Sequence, residues 1–429
     1  MISLCTPEKR IIPVSKSSII PATLFIYTIC SAFLFFPGFV EAAKPTKQLR
    51  SFAVLENRIQ SFIRNKDFPG AVLLVRKGNK TLISKGWGET FYGSKKTPDP
   101  QKSVYDLASV TKAIAISTTI MHLVELGLVN ENDSLSKHVK ATRGFPLGKL
   151  TIERLLSHKT GLPPYYFSNY WLVSTNHWNE STFSPVATTQ FPDPYRGTYL
   201  PKGYRTSMLT DLCQLPFTGK NKTIYSDLNY ILLGCLIEDV TGKRLDNYLN
   251  EWLFTPMKLN SIRYNPIING ISQDRIIPTS INPSINGWVY DNEAAKLAGI
   301  CGAAGLFSNS RDLGEIADML RNGGVWREKR FLKLSTIKKF AWYLAPGHVR
   351  AMGWQKPASN RRIKSVAPPK ASLTAFGHTG FTGTLFWVDP QKDLTIVFLT
   401  NVTYPTEGRS TFKQKAGYKT ILKLVYDLL

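Results

Sequence analysis

The sequence has few of the residues and motifs that mark metal sites. Its 429 residues include five cysteines and six histidines. No C-x-x-C or H-E-x-x-H motif occurs, which argues against a zinc site or another metal site. No G-x-S-x-G motif occurs either, which disfavours the α/β-hydrolase fold and its nucleophile elbow. We therefore expect the protein to work without a metal and without a cofactor.

Cysteine is also too scarce for a disulfide framework. Three cysteines lie beyond the first 42 residues, namely Cys213, Cys235 and Cys301. Cys235 and Cys301 stand in apolar surroundings, which is typical of small buried side chains. An odd number excludes a fully paired framework, although one disulfide among the three is left open.

Negative charge is in short supply, with 30 acidic against 54 basic residues and a net charge of +24. Such a surface attracts anionic polymers and membrane faces. The basic residues are scattered and no recognition motif accompanies them, so we expect no nucleic-acid partner. The expected surroundings are a cell envelope rich in anionic lipid and wall polymer.

Charge is absent from residues 17–40, an apolar run that follows three basic residues. A basic flank, an apolar run and small residues near Ala42 are typical of an export signal. The run is also about long enough to span a bilayer, but its prolines disfavour a continuous helix. Residues 1–42 are therefore predicted to be a signal peptide or an N-terminal membrane anchor, with cleavage favoured. The protein is predicted to be exported, and either periplasmic or anchored to the membrane.

Apolar periodicity predicts strands near both ends of the remaining chain. Residues 71–84 and residues 383–399 each place two apolar stretches around a polar turn and predict a β-hairpin. Helical periodicity predicts amphipathic helices at 51–65 and at 411–429. The pattern predicts one antiparallel sheet built from the N- and C-terminal hairpins and flanked by helices.

Sequence patterns in the middle of the chain predict a mostly helical second subdomain. The expected fold class is therefore α/β, and more specifically α+β. Helices are expected at 111–126, 228–240 and 310–320. The first of these is apolar nearly all round, which indicates a central buried helix. Residues 163–222 are rich in Tyr, Pro, Ser, Thr and Trp with little periodicity, and we interpret them as a lid or pocket wall. One hydrolase domain is expected over 51–429.

The tetrad from Ser109 to Lys112 joins a nucleophile to a basic residue. Residues three apart share a helix face, so Lys112 can lie beside the Ser109 hydroxyl and help to remove its proton. The spacing is not distinctive by itself, because the chain contains three more S-x-x-K copies: Ser134/Lys137, Ser335/Lys338 and Ser410/Lys413.

Two later motifs distinguish Ser109 from the other three serines. Tyr225-Ser226-Asp227 stands just before the predicted helix at 228–240. His378-Thr379-Gly380 opens a strand of the second hairpin. With a tetrad at the start of a buried helix, these motifs would place a nucleophile, a base and a backbone donor around one cleft.

In this combination the sequence resembles the penicillin-recognising serine hydrolases, which include class C β-lactamases, D,D-peptidases and related esterases. That family carries S-x-x-K, then Y-x-N, then K-T-G or H-T-G. The resemblance spans roughly residues 51–429 and includes the stretches 155–163, 225–234 and 302–313. Residues 291–299 resemble the D-E-N-A stretch of the branch that contains penicillin-binding protein 4B.

The resemblance implies a role for each matching residue. Ser109 would attack a carbonyl and form an acyl-enzyme, while Lys112 relays the proton and keeps the site electropositive. Tyr225 is the implied base, because a nearby ammonium favours the phenolate. The backbone N–H groups of Ser109 and Phe381 would form the oxyanion hole.

Two residues depart from the family pattern. Asp227 stands where asparagine often meets the acylamide of the substrate, and a carboxylate cannot donate there unless it is protonated. His378 replaces a lysine that, with the following threonine, binds the substrate carboxylate in β-lactamases. Thr379 and Gly380 complete this substrate-binding motif. Some D,D-peptidases and esterases have histidine here, which argues against an efficient β-lactamase.

The remaining histidines are interpreted as structural. His158 follows Ser157, and the resemblance makes it a loop residue rather than half of a Ser–His dyad. His122 and His138 lie in helical context and are expected to pack or to face solvent.

The expected function is that of an exported serine hydrolase. Its substrates would be D-Ala-D-Ala wall peptides or small esters and amides, with β-lactams as acylating ligands. A class C-like β-lactamase is the first alternative. A non-catalytic cell-wall-binding module is the second, although the intact set of Ser109, Lys112 and Tyr225 argues against it.

Overall fold

Helices surround a central sheet in the computed structural model, which describes residues 47–165, 184–215, 223–343, 350–358 and 364–429. The helices are α1 (Lys47–Arg64), α2 (Thr118–Glu125), α3 (Leu135–His138), α4 (Ile152–Leu156), α5 (Tyr204–Gln214), α6 (Asp227–Thr241), α7 (Leu245–Leu249), α8 (Asn292–Lys296), α9 (Ser310–Arg321), α10 (Leu334–Ile337) and α11 (Gly417–Leu428). Short π-helical segments occupy Lys112–Ser117, Asn250–Phe254 and Lys338–Trp342.

The strands are grouped into one large sheet and several small ones. They are β1 (Gly70–Lys77), β2 (Lys80–Gly88), β3 (Tyr105–Asp106), β4 (Asp193–Tyr195), β5 (Thr198–Leu200), β6 (Arg263–Tyr264), β7 (Leu306–Ser308), β8 (Val325–Trp326), β9 (Lys329–Arg330), β10 (Phe376–Thr379), β11 (Leu385–Asp389) and β12 (Leu394–Thr400).

The large sheet joins the two ends of the described chain. Its order is β10-β11-β12-β1-β2, and neighbouring strands are antiparallel. Leu73 of β1 lies opposite Phe398 of β12, so the N-terminal and C-terminal hairpins meet at the centre. The predicted fold class and the predicted sheet are confirmed.

Strand β1 separates two hydrophobic cores. Successive side chains of a strand point to opposite faces. Val72 and Leu74 accordingly pack into the larger core, on the side of the helical subdomain. Leu73 and Val75 pack into the smaller core, on the opposite face. Because both faces are covered, the strand is apolar throughout rather than alternating.

The terminal helices cover the face that holds the smaller core. Leu55 and Ile59 of α1 are fully buried there, one helical turn apart. Ile421 and Val425 of α11 are buried in the same core with the same spacing. This i, i+4 pattern is the amphipathic signal that predicted both helices.

The larger core contains the helix that follows Ser109. Its first turns are a π-helix at Lys112–Ser117, in which every residue is buried, and it continues as α2. The hydroxyls of Ser117 and Thr118 donate to the carbonyls of Lys112 and Ala113, five residues back. The prediction of a central buried helix over 111–126 is confirmed.

Two predicted boundaries were wrong. The last helix begins at Gly417 rather than near residue 411. Asp67 explains the difference, because its carboxylate accepts hydrogen bonds from the backbone N–H and the hydroxyl of Thr411, at 2.9 and 2.6 Å. This contact holds the preceding segment against the end of α1. In the second hairpin, the strand begins at Leu385 rather than at residue 383.

The segment 163–222 contains more regular structure than its composition predicts. Strands β4 and β5 form a hairpin, and α5 follows it. Residues 166–183 and 216–222 lie outside the described residues, as does the predicted signal or anchor at 1–42.

Within the described ranges no helix is both long and apolar enough to cross a bilayer. Cys213, Cys235 and Cys301 are buried, and no disulfide joins any two of them.

Candidate active site

A tight turn after β3 presents Ser109. Strand β3 pairs with β7, and Asp106 stands opposite Phe307. The Asp106 carboxylate accepts a hydrogen bond from the N–H of Ala108 at 2.8 Å. Ala108 has φ of +45°, a left-handed conformation that is uncommon for residues other than glycine. Such strain persists only where the surroundings hold it, and here it positions the serine at the mouth of a cleft.

Lys112 lies directly beneath the serine and is almost completely buried, with 1% exposure. Its ammonium has three oxygen neighbours. Nζ is 2.9 Å from Ser109 Oγ, 2.7 Å from the carbonyl oxygen of Ala303 and 2.8 Å from Asp227 Oδ1. Burial acts to lower the pKa of Lys112, but the negative charges of Asp227 and Tyr225 outweigh it and raise that pKa. Lys112 is therefore a charged donor to the serine oxygen.

Tyr225 stands next to this ammonium and beside a second cation. The Nζ of Lys112 is 5.3 Å from the centre of its ring, and the guanidinium carbon of Arg350 is 4.6 Å from it. The His158 ring packs against Tyr225 at 4.4 Å between centroids. Two cationic side chains therefore lie over the Tyr225 ring.

Gly380 brings the second backbone donor close to the serine turn. A Cβ at this position would lie 2.4 Å from the carbonyl oxygen of Leu107 and 2.1 Å from Thr384 Oγ1, so only glycine fits. The hydroxyl of Thr384 also donates to the Leu107 carbonyl at 2.9 Å. Among the described residues, the N–H groups of Ser109 and Phe381 have no hydrogen-bond partner. Both are therefore free to bind an oxyanion.

A cavity of about 660 Å³ opens at Ser109. Its walls include Tyr225, Asp227 and Phe381, so the predicted nucleophile, base and second oxyanion residue meet there. Pro164 and Tyr165, at the start of the predicted pocket wall, contribute to the same cavity. The three ordered sequence motifs are thus brought to one place.

His378 and Thr379 do not line this cavity. The His378 side chain is 1% exposed, its Nδ1 is 2.8 Å from the Thr379 carbonyl, and its Nε2 is 3.4 Å from Arg350 Nη1. Burial holds the pKa of His378 well below its usual value, and the charges of Arg350 and Lys112 act in the same direction. The histidine is therefore neutral and accepts from Arg350, while the Thr379 hydroxyl accepts from Gln355 at 3.0 Å.

Comparison with known proteins identifies the family to which this arrangement belongs. The family model named Beta-lactamase matches residues 55–417, which include the serine tetrad, the tyrosine motif and the glycine motif. The chain belongs to the beta-lactamase family. It is accordingly a serine hydrolase of this family, and Ser109 stands in its S-x-x-K motif.

Curated relatives of this family member are similar over most of their length. An N-acetylmuramyl-L-alanine amidase of Bacillus subtilis (strain 168) is 28% identical over 400 residues, which cover 84% of this chain and 86% of that protein. A protein of Escherichia coli (strain K12) that is named after D-alanyl-D-alanine carboxypeptidase is 29% identical over 402 residues, covering 84% and 87%.

Solved structures of low sequence identity share the fold. EstCE1, described as a hydrolase with promiscuous acyltransferase activity, superposes with a TM-score of 0.63 at 18% identity and covers 87% of this chain and 98% of that one. A penicillin-binding protein homologue from Caulobacter crescentus superposes with a TM-score of 0.61 at 16% identity, covering 88% and 98%.

The other S-x-x-K copies in this beta-lactamase family member have their lysines engaged elsewhere. Lys137 forms an ion pair with Asp133 at 2.6 Å. Lys338 lies over the ring of Trp342 at 5.2 Å, and Lys413 lies over the ring of Phe381 at 3.3 Å. The choice of Ser109 among four serines therefore agrees with the geometry.

Sequence reasoning missed two residues that surround Tyr225. Arg350 lies 125 positions beyond Tyr225, and no motif in the sequence marks it. His158, interpreted as a structural loop residue, accepts from the Ser226 backbone N–H at 3.1 Å through Nδ1 and so holds the Tyr225 segment in place. The Ser157 hydroxyl donates to the Glu153 carbonyl at 2.6 Å, so the structure does not bring Ser157 and His158 together as a dyad.

Proposed function

We propose that this chain is an exported serine hydrolase that forms an acyl-enzyme at Ser109. Its substrates are D-Ala-D-Ala-type peptides, which makes it a D,D-carboxypeptidase, or small esters and amides with a similar carbonyl. The observation that carries the proposal is the 2.9 Å contact between Lys112 Nζ and Ser109 Oγ at the cavity mouth. The names of the two curated relatives and the apolar run at 17–40 support its substrate class and its export.

In the proposed acylation step, the phenolate oxygen of Tyr225 accepts the proton of Ser109 Oγ. The serine oxygen attacks the carbonyl carbon, and the negative charge moves to the carbonyl oxygen, where the N–H groups of Ser109 and Phe381 bind it. The intermediate then collapses, the bond to the leaving amine or alcohol breaks, and Tyr225 returns the proton to that leaving group.

Deacylation repeats the same steps with water. Tyr225 accepts a proton from the water, the resulting hydroxide attacks the ester carbonyl, and the serine oxygen leaves with the proton. The products are a carboxylic acid and the free Ser109 hydroxyl. Tyr225 therefore ends each cycle in the form in which it began.

Lys112 has a narrower role than the sequence suggested. Because its ammonium is paired with Asp227, it does not take the serine proton in the resting protein. It donates a hydrogen bond to the serine oxygen and so stabilises the alkoxide as the proton leaves. Asp227 keeps the lysine charged, which gives the carboxylate a function that an asparagine in its place would not have.

Labelling with a fluorescent penicillin tests the acyl-enzyme. We expect a covalent adduct on the wild-type protein, no adduct on Ser109→Ala and an undiminished adduct on Ser134→Ala. The last variant is the matched control, because Ser134 belongs to an S-x-x-K copy outside the cavity. An adduct that survives Ser109→Ala would overturn the proposal, and mass spectrometry of the labelled peptide would locate the residue responsible.

The substrate class is tested separately. Release of D-alanine from a pentapeptide by wild-type protein, lost in Ser109→Ala, would support the carboxypeptidase assignment. Fast cleavage of p-nitrophenyl esters without release of D-alanine would shift the assignment to esters. Rapid turnover of nitrocefin would favour a β-lactamase, against the argument from His378.

A further inference from the structure

The cavity at Ser109 is acidic, although the chain as a whole is strongly basic. Four carboxylates line it, from Asp227, Asp291, Glu293 and Glu407, and no lysine or arginine is among its described lining residues. The chain has 54 basic residues against 30 acidic ones, so an excess of carboxylates in one cavity opposes the overall composition. A cavity of this kind attracts cations rather than the anionic surfaces that the rest of the protein favours.

Two of these carboxylates are already engaged by the protein. Asp227 is paired with Lys112 at 2.8 Å. The Tyr290 hydroxyl donates to Glu407 Oε2 at 3.0 Å, and Glu407 is exposed at the cavity rim. Asp291 has one oxygen committed, since Oδ1 accepts from the Ala294 N–H at 2.8 Å at the start of α8.

Glu293 has one carboxylate oxygen to which no described residue donates a hydrogen bond. The residue is 7% exposed, and within the described ranges its Oε2 has no hydrogen-bond partner. Its other oxygen is 3.9 Å from Lys296 Nζ, which is beyond hydrogen-bonding distance. A buried carboxylate oxygen without a donor is costly, and it is expected where a ligand supplies the donor.

The neighbouring carboxylates make it more costly for Glu293 to lack a hydrogen-bond donor. Burial raises the pKa of Glu293 to about 7, and the carboxylates of Asp291 and Asp227 add to this effect against Lys296. The pKa of Asp291 is raised by burial and by Asp227. A bound cation would lower the energy of the ionised form of each group. A primary ammonium has three N–H donors, which suits a cluster of carboxylates that each accept one or two hydrogen bonds.

We propose that the substrate of this site carries a primary ammonium group, and that Glu293 and Asp291 bind it while Ser109 attacks a carbonyl of the same molecule. The inference rests on the proposed hydrolase function and adds the substrate class to it. Peptides or esters with a free amino group are therefore preferred over their N-acylated counterparts.

The position of these carboxylates relative to Ser109 is set by one buried residue. Asp106, three residues before the serine, accepts the Tyr290 N–H through Oδ2 at 2.7 Å and the Ala108 N–H through Oδ1 at 2.8 Å. One side chain therefore ties the serine turn to the segment that begins at Tyr290 and carries Asp291 and Glu293. This connection makes Glu293 a specificity residue of the same site.

A pair of esters tests the proposal, p-nitrophenyl 6-aminohexanoate and p-nitrophenyl 6-acetamidohexanoate, compared at pH 8. We expect the wild-type protein to cleave the ammonium ester with about tenfold higher kcat/KM, as for one charge-assisted hydrogen bond. Glu293→Gln should bring this ratio close to one, and Glu407→Gln at the rim should lower it about threefold. Glu251→Gln removes the same charge from a residue outside the cavity lining, and should keep the ratio.

A wild-type ratio near one, or a ratio that Glu293→Gln leaves unchanged, would overturn the proposal. Binding of the two corresponding p-nitroanilides to Ser109→Ala, measured by calorimetry, separates it from the hydrolase function. Preference for the ammonium anilide that Glu293→Gln abolishes would support the ammonium site even if neither ester were hydrolysed. Equal binding of both anilides would count against the site even if both esters were cleaved.

Discussion

Lys112 and Lys356 are both buried lysines with 1% exposure, yet their pKa values are shifted in opposite directions. Lys112 has Asp227 at 2.8 Å, and its pKa is raised above the ordinary value even though burial opposes this. Lys356 donates to the Leu373 carbonyl at 2.8 Å, and burial lowers its pKa to about 7, with Asp389 opposing only in part. A carboxylate in contact therefore decides whether a buried lysine stays charged.

The difference has a functional meaning. A charged lysine beside Ser109 can stabilise a developing alkoxide, whereas a neutral one would compete for the serine proton. Lys356 lies next to Gln355, whose backbone pairs with Gly377 of β10, and its ammonium donates to a backbone carbonyl. The two lysines therefore differ in their surroundings, since Lys112 contacts a carboxylate and Ser109 whereas Lys356 contacts a backbone carbonyl.

Of the variants that test this comparison, replacing Lys112 should have the largest effect, and that effect is on activity. In Lys112→Met, the serine oxygen loses its ammonium donor, and we expect kcat/KM and the rate of penicillin labelling to fall by about 10³-fold. Stopped-flow labelling measures this rate. Lys137→Met, from another S-x-x-K copy, is the control and should be labelled at the wild-type rate. Equal rates for Lys112→Met and wild type would show that the ammonium takes no part in acylation.

Replacing Asp227, the counter-charge of Lys112, should shift the pKa of Lys112 in the direction already seen for Lys356. In Asp227→Asn, the buried ammonium loses its partner, its pKa should fall, and the free energy of unfolding should drop by about 3 kcal/mol at pH 7. Urea unfolding measures the change. Asp427→Asn removes a carboxylate from surface pairs with Lys370 and Lys423 and should cost less than about 1 kcal/mol. Equal losses in the two variants would contradict the importance of burial.

Replacing Lys356, whose pKa is lowered, should have a smaller effect on stability, and one of the opposite sign. The folded pKa of Lys356 is about 7 and lies below the unfolded value of about 10.4, so the unfolded chain binds more protons between these pH values. The stability of the wild type should therefore rise with pH across this window. Lys356→Met removes that dependence, and it should be about 2 kcal/mol more stable than wild type at pH 6, even after losing one hydrogen bond.

Unfolding curves at pH 6 and pH 10 measure this advantage, which should shrink as the pH rises. Lys80→Met, at an exposed position, should show no such trend. A Lys356→Met variant that is less stable than wild type at pH 6 would mean that the pKa of Lys356 is not lowered in the folded protein.

Much of the fold was predictable because its signals are local. The hairpins at β1–β2 and β11–β12 and the helices α1, α6 and α9 follow from apolar periodicity and turn residues within single segments. The start of α11 was not predictable, since Asp67, more than 300 residues earlier, engages Thr411 and the segment before Gly417 stays outside the helix.

In the candidate site too, local contacts were predictable from the sequence and contacts between distant segments were not. The contact between Ser109 and Lys112 follows from helical spacing, so the sequence alone identified it. The pairing of Lys112 with Asp227, the stacking of Arg350 on Tyr225 and the depth of His378 depend on segments that are far apart along the chain. No pattern in a single sequence reports such contacts.

By itself, the sequence determined the elements and the order of the three motifs, and it predicted the reacting residues, because these inferences depend on neighbours within a few positions. The tertiary structure alone decided which charges meet. It paired Lys112 with Asp227, left Lys356 without a carboxylate in contact among the described residues, and placed Asp291 and Glu293 on the wall of the Ser109 cavity. Electrostatic energies depend on distance and burial in space, and the fold sets both.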